Sequence, residues 1–318
     1  LETMFELIYA YVTSPRRDSS AFQAYQTRMA GFIENRSARP ETAFGDTIQV
    51  TMAQHHHRAR PWSTAILDEM DLDTSMAVYR DRFAEVGDFT FFFIGNFTLE
   101  GIEPLVRTYL GGLPAGGREE NWRDVAMEAP TGVVEKAVYR GIEAKSQSRL
   151  MFTGPFQFDG WRNNFEFEAM TTVLEIKLRE VLREDLGGTY VVWVSGGVTY
   201  YPEEEYRITL GFGCDPERVD ELTEMIFTQI DSLKSHGTTE EYITRVVENE
   251  RRSHEVNLKE NDFWIGSLQS ADLHGLDPRR VLRYPEMVDS LTIEAVQEAA
   301  QRYFDADNYV RVVLYPEA

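Results

Sequence analysis

The sequence predicts an α+β fold, an antiparallel sheet packed against helices, built as tandem homologous domains of which the first is truncated. Two observations predict it. From residue 132 onward strand-like segments come first and helical ones follow, the order of a sheet with its helices gathered on one face. The sequence also echoes itself at a constant offset of 220 residues. Phe22 matches Tyr242, Phe44 matches Trp264, Ile48 matches Leu268, and Arg82-Phe83 matches Arg302-Tyr303; Phe89 matches Tyr309, and Phe92-Phe93-Ile94 matches Val312-Val313-Leu314. Each match is weak alone. A register shared over more than 70 residues marks a duplicated unit, and such a unit is domain-sized. The second unit fits within the chain. The first lacks about its first half, so the sequence, which opens on Leu1 rather than Met, reads as part of a longer protein.

In the first unit, residues 1–12 read as a helix remnant with Met4, Phe5, Leu7, Ile8 and Tyr11 apolar. Phe22, Tyr25, Met29 and Phe32-Ile33 fall at helical spacing over 20–35, and Phe44, Ile48 and Met52 over 40–55. A turn with a short helix occupies 61–67, and Asp73 is a candidate cap for a helix ending at Phe83. Residues 88–97 read as a strand, and 99–110 as a helix stopped by Gly111-Gly112. This gives a first domain over 1–113. Residues 114–131, with Pro114, Gly116, Gly117, Pro130 and scattered charge, have linker composition. The second domain covers 132–318. Its predicted strands are 133–139, 148–153, 190–200, 206–214 and 309–314; its predicted helices are 163–182, 216–233, 240–258, 260–273 and 292–304.

Composition excludes several classes. At 318 residues with 42% hydrophobic content, the chain has room for one and a half to two domains with real cores. A net charge of −21 argues against nucleic acid as partner. No apolar run reaches the length of a membrane span. One cysteine, Cys214, excludes an internal disulfide or a cysteine metal cluster and reads as a small buried apolar residue. Five lysines stand against 27 arginines. An acid-rich, lysine-poor surface suits a salt-adapted source; the alternative is a generic acidic surface kept soluble by self-repulsion.

His55-His56-His57 has the look of a metal cluster without its geometry. Helical zinc ligands stand at i and i+4 so that both face the ion. Three adjacent histidines diverge, no acidic ligand lies within one turn, and Arg58 and Arg60 follow. No His-x-x-Glu-His or His-Glu-x-x-His pattern, phosphate loop or Gly-x-Ser-x-Gly elbow occurs. The most informative stretch is Arg183-Glu-Asp-Leu-Gly-Gly-Thr-Tyr190. It joins the end of an apolar helix to a strand. Such a turn can aim a guanidinium, a rigid fork of donors, and a phenol, a donor to a developing oxyanion, into one cavity. On the residues alone the structural reading prevails: an arginine in a last helical turn favours the helix dipole, and a tyrosine opening a strand serves packing.

The run Leu178-Arg-Glu-Val-Leu-Arg-Glu-Asp-Leu-Gly-Gly-Thr-Tyr190 resembles the C-terminal half of the insulinase/pitrilysin (M16) family of zinc metallopeptidases, with bacterial PqqL-type members nearest. Phe152-Thr-Gly-Pro155, Phe212-Gly-Cys-Asp-Pro-Glu217 and Asn261-Asp-Phe-Trp264 are similar to that family too. So are Tyr79-Arg-Asp-Arg-Phe83, Asp88-Phe-Thr-Phe-Phe-Phe-Ile-Gly-Asn96 and Tyr109-Leu-Gly-Gly-Leu-Pro114. The resemblance implies four similar α+β domains in two halves closing around a peptide chamber. It makes 1–113 the end of the third domain and 132–318 the fourth. Zinc then belongs to the N-terminal half, outside this chain, which would be inactive alone. By spacing, the family's arginine–tyrosine pair falls on Arg183 and Tyr190. They would bind the substrate backbone, and Tyr190 would help stabilise the tetrahedral intermediate. The implied partners are a peptide substrate and the N-terminal catalytic half of the same polypeptide. The implied compartment favours the bacterial periplasm or cell envelope over the cytoplasm. A different class, a non-catalytic scaffold subunit of the same family, is the alternative; retention of Arg183 and Tyr190 speaks for the enzyme.

Overall fold

The computed structural model describes residues 1–36, 38–118, 120–185 and 187–317, with the side chains of residues 184 and 185 left aside. Glu119 of the predicted linker, Leu186 of the Arg183–Tyr190 stretch and Ala318 of the second domain lie outside the described residues. The chain divides into two compact units. One comprises Leu1–Arg36, Trp62–Arg123 and Asn261–Gln269; the other comprises Ser37–Pro61, Asp124–Glu260 and Ser270–Ala318.

The first unit is helical. It holds α1 (Glu2–Thr13), α2 (Ser19–Arg36), α4 (Thr64–Asp68), α5 (Leu72–Phe83) and α6 (Leu99–Leu105). Asp71, rather than Asp73, caps α5 by accepting from the Thr74 amide at 2.7 Å. Phe5 is fully buried and stacks on Phe93 at 5.1 Å and Tyr109 at 6.3 Å. The strand expected over 88–97 does not form: no described residue there belongs to a sheet. A strand needs a hydrogen-bonding neighbour, and the other ordered elements of this unit are helices. Its apolar side chains pack against rings instead.

The second unit carries a five-stranded sheet in the order β1-β5-β2-β4-β3. The strands are β1 (Val133–Tyr139), β2 (Ser146–Pro155), β3 (Val191–Thr199), β4 (Glu205–Cys214) and β5 (Tyr309–Tyr315). Three pairings are antiparallel and one, β1 with β5, is parallel. The last strand of the chain thus enters between β1 and β2, an order that strand patterns alone do not reveal.

Strict alternation sorts the two faces. Leu150 and Phe152 on β2, Ile208, Leu210 and Phe212 on β4, and Val192 and Val194 on β3 join one core with residues of α7 (Arg162–Leu178), α8 (Val219–His236) and α12 (Ile293–Tyr303). Each such side chain contributes about 1.5–3 kcal/mol on full burial. On the other face α3 (Pro40–Met52) covers part of the sheet. Its Phe44 and Met52 pack with Met151, Val310, Val312 and Leu314. Toward β4 and β3 that face keeps solvent access at Arg149, Thr209, Trp193 and Ser195.

Candidate functional site

The site is built on the end of α7. Beyond Leu178 the helix widens into π-helical turns over Arg179–Asp185, a departure often found at functional positions. α9 (Glu240–Asn257) braces this end. The Tyr242 hydroxyl donates to Glu180 at 2.5 Å, and Arg245 pairs with Glu180 at 2.7 Å. The hydrogen bond from Tyr242, aided by Arg245, holds the Glu180 carboxyl below its ordinary range. Burial, then Glu180, pushes the Tyr242 phenol up to about 12. Arg183 stands one helical turn beyond Glu180 and is exposed.

Two glycines make the turn, each for its own reason. Gly187 has φ +56°, the left-handed region that glycine enters without strain. A Cβ on Gly188 would lie 2.8 Å from the Leu222 side chain and 2.9 Å from that of Arg218, so a larger residue here would have to push both side-chain ends aside. The Gly188 amide closes the helix on the Leu182 carbonyl at 2.9 Å. Buried Thr189 then locks the strand entrance: its hydroxyl donates to Gly213 O at 2.7 Å and accepts from the Val191 amide at 3.3 Å. The Tyr190 amide also donates to Gly213 O, at 3.2 Å. Its backbone is therefore fixed while its side chain stays 66% exposed, with the hydroxyl donating to Asp215 at 3.4 Å.

Arg183 and Tyr190 thus stand at the two ends of one braced turn, neither of them in the core. Tyr190 lines a cavity of ≈ 340 Å³ together with Lys145, Gln147, Arg149, Val191 and Trp193. The Lys145 ammonium is raised by its hydrogen bond to Glu143, at 3.1 Å. Sequence reasoning missed Arg149, Trp193 and the Glu180 clamp. Alternation on β2 marks Arg149 as facing away from the core. The partner across the strand that lets it lie flat, Gly211, is a pairing in space that no local pattern reports.

The histidine run offers no metal site. Gln54 and His55 take positive φ values of 47° and 60°, which turns the chain sharply. His56 accepts the Arg58 amide on Nδ1 at 3.2 Å and faces the Val125 carbonyl through Nε2 at 3.0 Å. Both His56 ring nitrogens are therefore engaged by the backbone, which leaves that imidazole no free nitrogen for zinc. Among the described residues no group of three or more His, Cys, Asp or Glu is placed to hold a metal ion, and no helix is long and apolar enough to cross a membrane. Cys214 is a buried free thiol, and burial pushes its pKa up to about 11. That disfavours the thiolate a nucleophile needs.

Comparison with known proteins adds four findings. The sequence matches the Peptidase M16 inactive domain over residues 75–250. It is 24% identical to the Zinc protease PQQL-like of Arabidopsis thaliana over 348 residues, covering 100% of this chain and 36% of that protein. It is 27% identical to the Probable zinc protease PqqL of Haemophilus influenzae over 172 residues, covering 52% of this chain and 18% of that one. In fold it is similar to the crystal structure of the periplasmic protease PqqL from Escherichia coli, with a TM-score of 0.86 at 19% identity over 99% of this chain and 35% of the other. The chain spans about a third or less of these relatives.

Proposed function

Since this chain belongs to the M16 peptidase family through the inactive domain, we propose that it is the substrate-binding, non-zinc half of a zinc-dependent endopeptidase that degrades peptides in a chamber closed by two halves. In this reading residues 1–113 are the end of the third domain, 114–131 the linker, and 132–318 the fourth domain. Zinc belongs to the N-terminal half of the same polypeptide, and the residues described above offer it no ligands. Relatives named zinc proteases support this division. The likeness to the periplasmic protease PqqL of Escherichia coli supports a periplasmic or envelope location over the cytoplasm.

One observation carries the site: Tyr190 presents an exposed phenol from a backbone locked at Gly213, and Arg183 presents an exposed guanidinium from a braced helix end. A locked donor costs no reorganisation when charge develops. Tyr190 donates to the oxyanion of the tetrahedral intermediate, and Arg183 holds a neighbouring peptide carbonyl in register. In the full-length protein, Tyr190→Phe should lower kcat about 100- to 1,000-fold, with little change in KM and an unchanged circular dichroism spectrum. Arg183→Ala should damage both parameters, because it removes ground-state binding as well. Wild-type turnover in Tyr190→Phe would sink this reading and leave the scaffold subunit in its place.

A further inference from the structure

We propose that Arg149 is a specificity-determining residue of this half: its guanidinium receives a carboxylate of the bound peptide at the floor of the cavity that Tyr190 lines. The proposal rests on the peptide-binding reading above.

Arg149 lies on β2, half-buried, and borders two cavities of the sheet's open face, of ≈ 340 and ≈ 440 Å³. Aromatic rings hold it from two sides, with the guanidinium carbon 4.8 Å from the Trp193 ring centre and 5.6 Å from that of Phe44. Opposite it on β4 stands Gly211. A Cβ there would lie 2.7 Å from the Arg149 Nη1 and 2.6 Å from Trp193, so the missing side chain is what lets the guanidinium and the indole close over the strand. The hydrogen bond found for Arg149 is a short-range one, Nη1 to the Ser148 carbonyl at 3.2 Å.

The contrast with Arg311 shows what this cation is suited to. Arg311, also half-buried and on β5, pairs with Asp220 at 2.5 Å and Glu135 at 3.6 Å. Arg149 has no carboxylate partner among the described residues, in a chain with 53 acidic residues against 32 basic ones. Burial alone lowers its pKa, with no acid opposing it. Glu205 also borders the larger cavity. It sits six residues along β4 from Gly211, about 20 Å away, and burial, then Glu203, raises its pKa against a smaller opposing effect of Arg207. A guanidinium stays charged at any physiological pH. With rings on its faces, its edge remains free to meet a planar carboxylate in the bidentate geometry that Arg favours. Lys145, which also lines the smaller cavity, is already paired with Glu143 at 3.1 Å, so Arg149 is the cation left to receive the carboxylate there.

The carboxylate can come from an Asp or Glu side chain or from a peptide C-terminus. The test uses the full-length protein and internally quenched peptides in matched pairs. One set moves a Glu or a Gln through each position around the cleaved bond; the other ends in a free acid or an amide. Wild type should prefer the carboxylate member of one pair by roughly tenfold to a hundredfold in kcat/KM, the worth of one charge-assisted hydrogen bond. The pair that responds identifies the source. Arg149→Met, which keeps the apolar stem between the rings, should bring that ratio close to one, whatever the absolute rates. Arg149→Lys should retain part of it and gives the reading if the Met variant does not fold. An absent preference in wild type, or a ratio unchanged in both variants, overturns the proposal. If Tyr190→Phe cuts turnover while the Arg149 ratio stays put, this inference alone fails. If Tyr190→Phe is wild type, the parent reading fails first.

Discussion

Residues 64–95 and 284–315 carry the same succession of elements and end differently. Adding 220 to α4, 64–68, gives 284–288, the bounds of α11 (Tyr284–Val288). Adding it to α5, 72–83, gives 292–303, against 293–303 for α12. Upstream, α2 shifts to 239–256 beside α9 at 240–257, and α3 to 260–272 beside α10 (Asn261–Leu273). These four pairs of helices therefore recur within one residue, while α1 shifts to 222–233, inside the longer α8 at 219–236. The strands do not. Tyr309–Tyr315 is β5, hydrogen-bonded to β1 on one side and β2 on the other. Its counterpart, 89–95, belongs to no sheet among the described residues. A helix satisfies its backbone within its own segment, so a local pattern suffices to form it. A strand is only half of a structure, and the same apolar pattern yields one where neighbours stand on both sides.

The largest consequence is in backbone protection. Amides of residues 310–314 sit in the middle of the sheet and should exchange with solvent only on global unfolding of their unit. In the 318-residue chain by itself, those of 90–94 should exchange at least about a thousandfold faster, since domain stabilities of 5–15 kcal/mol correspond to that or more. Hydrogen exchange read by mass spectrometry at peptide level decides it. Equal protection in the two segments would mean that 89–95 has found a partner and would break the contrast.

Next in size is side-chain packing at a matched pair. Leu314 is 4% exposed, in a cluster with Phe44, Met52 and Met151. Its counterpart Ile94 is half-buried. Leu314→Ala should cost about 2–5 kcal/mol, and Ile94→Ala about 1 kcal/mol. Each is measured by chemical denaturation of the unit that carries it. Equal losses would show that the unpaired segment packs as tightly as the strand.

The same contrast explains what the sequence could and could not tell. Helix bounds and the five strands of the second unit were legible, because alternation and 3.6-residue periodicity are local signals. The strand expected at 88–97 has a good pattern and fails for lack of a neighbour. The parallel β1–β5 pairing was not legible, because it joins residues 176 apart, Val133 and Tyr309. At the site, the turn Gly187-Gly188 follows from the residue types, whereas Arg183 and Tyr190 were singled out by the family resemblance. The brace from Tyr242 and Arg245, and the shelf of Arg149 over Gly211, depend on elements brought together only by folding.

The smallest effect separates the two copies by pH. α5 and α12 are matched helices with different caps. Asp71 accepts from the Thr74 amide at 2.7 Å, whereas Thr292 accepts from the Ala295 amide at 3.1 Å. Hydrogen bonding to Thr74 lowers the Asp71 pKa below its ordinary 3.8, against a smaller opposing effect of burial. A carboxylate whose folded pKa is depressed stabilises fully above its unfolded value, and the contribution is lost as pH falls through the folded value. The α5 cap is therefore intact above pH 3.8 and weakens below it. The Thr292 hydroxyl does not titrate, so the α12 cap holds throughout, and Thr292→Ala should cost about 1 kcal/mol at either pH. Amide NMR reads both caps at once. The Thr74 amide proton should shift upfield as acid protonates its acceptor, with a midpoint below 3.8; the Ala295 amide should stay level. Asp71→Ser should preserve the cap and flatten the Thr74 curve. A level Thr74 amide between about pH 2 and 5 in the unsubstituted protein would show that Asp71 does not cap α5, and with it that the two helices do not differ in this way.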